Sequence, residues 1–146
     1  MSLAPLFAPI ITPRARALAP RVGLVILRVV MAVVLLGAGG AKVVGDAWMV
    51  AVFHAIGLGQ WLRYVVGILE IVGGLALLVS PLAGVAALAL VAMMIGAVLT
   101  EIMIVRRPPI AALAALAALM LIAWGHREDT RRLLARVLVM RPSHRQ

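Results

Sequence analysis

The chain has no cysteine and few charged residues. The absence of cysteine among 146 residues excludes disulfides, thiolate-ligated iron–sulfur clusters and dithiol redox relays. Only 13% of the residues are charged, whereas 65% are hydrophobic and the mean hydropathy is +1.16. A soluble domain of this length is far less apolar. The composition therefore predicts a single membrane domain.

Histidine is also scarce, and none of the three histidines lies where it would be expected to hold a cofactor inside a helix bundle. His54, His126 and His144 all lie outside the long apolar segments. A haem held by two histidines inside a helix bundle is therefore not expected. The carboxylates and histidines do not lie at spacings typical of metal ligands, so we assign no metal site.

Four long apolar segments dominate the chain. Each has close to the roughly 17–25 residues that cross a bilayer as a helix. They predict an all-α fold, a bundle of four transmembrane helices, within a membrane domain of residues 22–125. The predicted spans are residues 22–44, 61–79, 82–105 and 109–125.

The segments between and beside the spans are predicted to lie at the membrane surface. Asp46 to Gln60 is less apolar and favours a short interfacial helix capped by Asp46. Residues 1–21 form an N-terminal segment, and residues 126–146 form a basic amphipathic tail. In the tail, Leu133, Leu134, Val137 and Leu138 are predicted to share one side, mostly apart from Arg131, Arg132 and Arg136.

The net charge of +9 comes mostly from arginines that flank the outermost spans. An even number of spans places both termini on one side, and the positive-inside rule makes that side the cytoplasm. The arginines are expected to contact anionic lipids rather than nucleic acid. They are Arg14, Arg16 and Arg21 before the first span and Arg127, Arg131, Arg132, Arg136, Arg141 and Arg145 after the fourth.

Four ionisable residues interrupt the apolar segments: Arg28, Lys42, Glu70 and Glu101. Their formal charges sum to zero, as mutual neutralisation in a low-dielectric interior requires. A charge at mid-membrane costs about 2.5–3.5 kcal/mol on insertion scales. Glu70 lies too deep to reach either interface, so we expect it to have a partner. Lys42 is the candidate partner: it either reaches Glu70, Glu101 or both, or extends to the outer headgroups as an anchor.

Small residues indicate which helix faces turn inward. Gly67, Glu70 and Gly74 recur at helical spacing with Arg63 on one face of the second span. In the first span, Gly37 and Gly39 belong to a run of small residues that permits close helix contact. We therefore predict that the face of the second span turns into the bundle rather than toward lipid, and that the run in the first span is a further contact patch.

Two further arginines have two interpretations each. Arg63 lies near the outer rim, where it either extends toward the headgroups or lines an entrance to the polar site. Arg28 lies alone in the inner half. It either extends to the cytoplasmic headgroups or donates hydrogen bonds to carbonyls at the turn after the second span.

The order of these features resembles the DoxX and DoxX-like family of small four-helix bacterial membrane proteins. The resemblance covers residues 22–125, and the glycine-flanked Glu70 and the small-residue run ending at Lys42 are its most specific parts. In relatives a histidine often follows the position of Thr100, whereas this chain has Glu101. A proton relay or ligand contact at that position would here be carried by a carboxylate. The matching segments are Leu27-Arg28, Gly37–Lys42, Phe53–Leu58, Trp61–Gly74 and Met94–Thr100.

The resemblance implies a bacterial inner-membrane protein. It also implies a subunit of a quinone-reducing thiosulfate oxidoreductase, a terminal quinol oxidase or an oxidative-stress complex. Quinone is then the candidate cofactor, redox proteins are the expected partners, and catalysis by this chain alone is not expected. The ligand or proton site would comprise Glu70, Lys42, Glu101, Arg63 and Thr100.

Two other functions stay open at this point. An oligomer of the chain could form a pathway for protons or small solutes, since four short helices leave little room for a pore in one chain. The buried charges could instead serve only to fix helix register in a structural scaffold.

Overall fold

The computed structural model of the protein describes residues 13–139, with side chains described for residues 21–133 and 135. Every regular element in this range is helical, which confirms the all-α prediction. The elements are α1 (Pro13–Val44), α2 (Ala47–Ile56), α3 (Trp61–Leu78), α4 (Ala83–Thr100), a π-helical turn (Glu101–Val105), α5 (Ile110–Gly125) and α6 (Arg127–Val139).

Three helical stretches are long and apolar enough to cross a bilayer. They are Arg21–Val44, Trp61–Leu78 and Ala83–Val105. The fourth predicted span corresponds to α5, whose 16 residues extend only about 24 Å. It counts as a span only together with the start of α6, to which it is bent by 65°. The protein therefore has three candidate spans, or four if the bent pair is one.

The helix boundaries differ from the predicted spans at two places. α1 already includes Pro13, the first described residue, and so extends beyond the predicted span start at Val22. The third span is not one uniform α-helix, because α4 ends at Thr100 and continues as the π-helical turn. Arg106, with φ of 55°, ends that turn in the left-handed conformation.

The short helix predicted between the first two spans is confirmed as α2. The Asp46 carboxylate accepts hydrogen bonds from the backbone N–H groups of Trp48 (3.0 Å) and Met49 (3.4 Å). This arrangement satisfies two of the N–H groups that a helix start leaves unpaired. Gly57 ends α2 in the left-handed conformation, with φ of 80°.

Part of the C-terminal tail also forms a helix, α6. Arg131 and Arg132 are exposed and Leu133 is half-buried, as expected for an amphipathic helix. The side chains of Leu134, Arg136, Val137 and Leu138, which belong to the same prediction, lie outside the described residues.

The core lies between the four long helices. α1 packs mainly against α3, and α4 packs mainly against α5. Large apolar side chains point outward all around the bundle, and Val33 (65% exposed) and Leu121 (62%) are examples. Water would not favour such a surface, but lipid does. The buried core side chains are Met31, Leu35, Leu77, Ala86, Ala87, Leu90, Met94, Leu119 and Ile122.

Candidate functional site

The backbones of α1 and α3 touch at two glycines. A Cβ atom on Gly39 would lie 2.6 Å from the Gly67 carbonyl oxygen, and one on Gly67 would lie 2.9 Å from the Gly39 carbonyl oxygen. A Cβ on Gly74 would lie 3.3 Å from the Ala32 carbonyl oxygen. The two helices are thus antiparallel and in close contact. Gly37, by contrast, is exposed and lies outside this contact.

Lys42 and Glu70 form a buried ion pair beside this contact. The ammonium nitrogen Nζ lies 2.7 Å from Oε2 and 3.0 Å from Oε1 of the carboxylate. The Lys42 side chain is 12% exposed and the Glu70 side chain 5%. The pairing of Glu70 with Lys42 that the sequence predicts is therefore observed.

The antiparallel glycine contact explains why this lysine reaches this carboxylate. Lys42 follows Gly39 by three residues and Glu70 follows Gly67 by three, so their Cα atoms are displaced in opposite directions by about 9 Å in total. Side chains of a helix lean toward its N-terminus. The lysine accordingly leans back along α1, where Nζ also lies 3.5 Å from the Ala38 carbonyl oxygen, and so approaches Glu70.

Glu101 does not join this pair. It begins the π-helical turn, and its Oε1 accepts a hydrogen bond from Nη2 of Arg107 at 3.0 Å. The Arg107 guanidinium also lies over the Trp48 ring, 5.4 Å from the ring centroid. Thr100 donates from its hydroxyl to the Gly96 carbonyl oxygen at 2.9 Å. The reach of Lys42 therefore extends to one of the two candidate carboxylates.

These polar groups share one cavity of about 450 Å³. Its wall is mostly apolar, and α2 supplies a large part of it. The four charged residues that line it are two ion pairs, Lys42–Glu70 and Arg107–Glu101. The other lining residues are Trp48, Met49, Val52, Phe53, Ile56, Leu58, Leu62, Val66, Met93, Met94, Gly96, Ala97, Thr100 and Val105.

Arg63 is buried outside this cavity. Its guanidinium donates hydrogen bonds to the Lys42 backbone carbonyl and, at 2.8 Å, to Oε1 of Gln60. It also stacks on the Tyr64 ring, 4.3 Å from the centroid. Neither sequence interpretation of Arg63 matches, because the residue satisfies a carbonyl at the end of α1 instead.

Arg28 fastens the opposite end of the bundle. It is 6% exposed and donates to the carbonyl oxygens of Leu77 (2.7 Å) and Leu78 (2.8 Å), near the end of α3. Of the two interpretations, hydrogen bonding to carbonyls at the turn after the second span matches the structure. The Ser80 hydroxyl lies 3.4 Å from the same guanidinium.

His126 completes this second polar cluster. Its Nδ1 lies 3.0 Å from the Ile122 carbonyl oxygen, which can only accept, so Nδ1 carries the proton. In the neutral ring Nε2 is then an acceptor, and it faces the Arg28 guanidinium at 3.5 Å. Thr130 in α6 donates to the His126 carbonyl oxygen at 3.0 Å. This cluster therefore joins α1, α5 and α6.

Sequence reasoning missed Arg107 and His126. Arg107 lies in a loop, six positions after Glu101, and the two residues pair across the π-helical turn, a spacing that regular helix periodicity does not bring together. His126 directly follows the predicted fourth span, and that position was the signal for it. Within residues 13–139, no three His, Cys, Asp or Glu side chains come together in a way that could hold a metal ion.

Comparison with protein families gives one match. The model of the DoxX-like family matches residues 26–125, which include α2, α3, α4, α5 and most of α1. Comparisons with curated proteins and with solved structures gave no match. The matched region contains the Lys42–Glu70 pair, Arg28 and the whole wall of the cavity, whereas His126 and Thr130 of the second cluster follow it. This chain belongs to the DoxX-like family of membrane proteins.

Proposed function

We propose that this protein is a membrane subunit of a quinone-linked redox or oxidative-stress assembly, and that its cavity binds the quinone headgroup. The observation that carries the proposal is the buried Lys42–Glu70 pair in the wall of a largely apolar cavity. A volume of 450 Å³ lies within the range of roughly 300–1,000 Å³ that is usual for ligand pockets.

A neighbouring groove supports a ligand with a long apolar tail. This second space, also about 450 Å³, lies between α3 and α4 and is lined almost only by aliphatic side chains. It shares Leu62, Val66 and Met93 with the cavity. A polar headgroup in the cavity and an isoprenoid chain in the groove would occupy both spaces. A prenylated quinone has this shape.

Electron transfer would take place in partner proteins. The chain has no cysteine for thiol chemistry, and the subunits that DoxX-like proteins resemble accompany redox enzymes. In this proposal Lys42 and Glu70 orient the headgroup, or exchange a proton with it, while a membrane or peripheral redox partner exchanges the electrons.

Four spans are proposed, with α5 as the fourth and α6 at the cytoplasmic surface. Both termini then lie on the cytoplasmic side of a bacterial inner membrane, which is the side where the positive-inside rule places most of the flanking arginines. The cavity with α2 would lie toward the outer side, and the Arg28 cluster toward the inner side.

The experiment is co-purification of quinone with the protein in mild detergent, quantified per protein by mass spectrometry of a solvent extract. We expect bound quinone in the wild type and at least a tenfold loss in Glu70→Gln, because the change leaves Lys42 without its anion at the wall of the binding site. Glu128→Gln is the matched control, since Glu128 is 63% exposed and lies outside the cavity.

Two outcomes would contradict the proposal. One is a wild type that carries no more quinone than an unrelated membrane protein from the same cells. The other is a Glu70→Gln variant that retains the wild-type amount. In the second case, flux through proteoliposomes would test the proposed alternative of a solute or proton pathway, because a subunit without transport activity predicts none.

A further inference from the structure

We infer that Glu101 selects a headgroup that donates a hydrogen bond, so that the cavity prefers the hydroxyl-bearing, reduced form of its ligand. This inference deepens the proposed function and rests on the same cavity. It starts from one atom. Oε2 of Glu101 is buried, and it alone among the buried side-chain nitrogen and oxygen atoms of the described residues has no hydrogen-bond partner.

An unpaired buried oxygen is costly, and native proteins seldom keep one without a use. The other oxygen of the same carboxylate is held by Arg107 at 3.0 Å. Rotation about the terminal torsion of a glutamate is soft. Turning of the carboxylate can therefore expose Oε2, which is buried in this structure, to a ligand hydroxyl in the cavity without a change in the backbone around it.

The donors of Lys42 and Thr100, the mostly buried lysine and the hydroxyl in the wall, are already engaged. The Lys42 ammonium has three N–H bonds and three acceptors, namely the two Glu70 oxygens and the Ala38 carbonyl. The Thr100 hydroxyl already donates to the Gly96 carbonyl, and its oxygen is left to accept. The buried groups in the wall thus offer acceptors. The remaining N–H groups of Arg107, whose side chain is 46% exposed, can serve a headgroup that only accepts, but such a headgroup leaves Oε2 of Glu101 unpaired.

The charge balance of the cavity indicates a neutral headgroup. Its lining contains Lys42, Arg107, Glu70 and Glu101, and both cations are paired with carboxylates. A charged ligand would add an unpaired charge to a low-dielectric site, which is strongly unfavourable. The chemistry that fits is a neutral hydroxyl group on a long apolar chain. A hydroquinone carries it, and so does a lipid alcohol such as a monoacylglycerol.

The π-helical turn presents Glu101 at this place. Here the backbone carbonyl of Glu101 accepts hydrogen bonds from the N–H groups of both Arg106 and Arg107, which closes the turn and brings the Arg107 side chain over the cavity. Single π-helical turns within α-helices occur frequently at functional sites. Glu101 therefore serves as a positioned acceptor as well as an ion-pair partner.

The test compares three forms of one quinone that differ in donor capacity, together with an unrelated lipid alcohol. The full-length protein in lipid nanodiscs is titrated with a decyl-tailed benzoquinone, its hydroquinone, the dimethyl ether of that hydroquinone, and a monoacylglycerol. We expect the hydroquinone to bind at least about tenfold more tightly than its ether and than the quinone, since a hydrogen bond to a charged acceptor is typically worth that much.

Glu101→Leu should remove this preference by weakening the hydroquinone to the level of the ether. Glu101→Gln keeps an acceptor oxygen and should keep part of the preference, and unchanged binding of the ether by Glu101→Leu would show that its loss is not misfolding. Equal binding of hydroquinone, quinone and ether by the wild type would overturn the inference, and that comparison needs no variant.

The remaining outcomes separate the inference from the proposed function. If none of the decyl compounds or the monoacylglycerol binds, both fail together. If quinone, hydroquinone and ether bind equally and Glu70→Gln weakens all of them, the proposed site stands and the role of Glu101 is refuted. If the monoacylglycerol alone binds in a Glu101-dependent way, acceptor selection stands, and the ligand is a lipid alcohol rather than a quinol.

Discussion

Replacement of Lys42 and Glu70 by methionine, singly and together, separates a ligand site from a structural ion pair. The two charges are 2.7 Å apart at closest, and both side chains are almost fully buried. At about 4 Å and an effective dielectric constant near 20, two unit charges attract by roughly 4 kcal/mol. Removal of one partner of a buried pair typically destabilises a protein by about 3–5 kcal/mol, because the other charge is left uncompensated.

The double variant should behave differently from either single variant. Replacement of a whole buried pair by apolar side chains of similar volume is often neutral or stabilising by about 1–4 kcal/mol. We therefore expect Lys42→Met and Glu70→Met each to lower the free energy of unfolding by several kcal/mol, and the double variant to return close to the wild type. The assay is unfolding of the purified protein by SDS titration in mixed micelles.

The same three variants are assayed for quinone binding. A ligand site predicts that the double variant regains stability and does not regain binding. Additive losses of stability in the double variant would refute the electrostatic reasoning. A double variant that is stable, binds quinone as the wild type does, and supports normal respiration would show that the pair only fixes helix register.

Three other predictions concern packing, the second cluster and orientation. Gly39→Ala should destabilise the protein by about 1–3 kcal/mol in the same unfolding assay, because its methyl group would meet a backbone oxygen at 2.6 Å. Gly40→Ala, which meets nothing within 4 Å, is the control, and equal effects of the two would contradict the close contact. Arg28→Met should accelerate amide hydrogen exchange in residues 79–83 about tenfold or more, since each hydrogen bond to the charged group is worth about 1.5–3 kcal/mol, and unchanged exchange would show that Arg28 does not hold this turn. In intact cells, an impermeant maleimide should label a cysteine introduced at Pro108 and not one at Glu128; the reverse pattern would invert the proposed orientation.

The part of the site that the sequence predicts is the part governed by helix periodicity and by the cost of burying charge. Gly67, Glu70 and Gly74 share a face because the helix repeats every 3.6 residues. A carboxylate in the middle of a span requires a cation, and Lys42 was the cation within reach. The first constraint acts within one helix, and the second follows from the depth of each residue in its span. Both the shared face and the ion pair are present in the structure.

The part that could not be predicted depends on interruptions of that periodicity. Glu101 pairs with Arg107 across a π-helical turn, and the hydrophobic pattern of the sequence does not predict that turn. The bend after α5 brings His126 to Arg28 across the bundle. Arg63 is buried near the end of α1, where it donates to the Lys42 carbonyl, and this contact depends on the path of the chain between α2 and α3. These three contacts depend on tertiary geometry, which cannot be predicted from sequence spacing alone.

The most direct test of the ligand cavity is photoaffinity labelling with a decyl-tailed azidoquinone in native membranes, followed by peptide mass spectrometry. We expect adducts on cavity side chains such as Met49, Phe53 and Met93, and we expect an excess of the unmodified decyl hydroquinone to suppress them. Adducts confined to outward-facing side chains such as Val33 and Leu121, with no competition, would show that the probe labels only the lipid-facing surface. That result would contradict an intramembrane binding site at the Lys42–Glu70 pair.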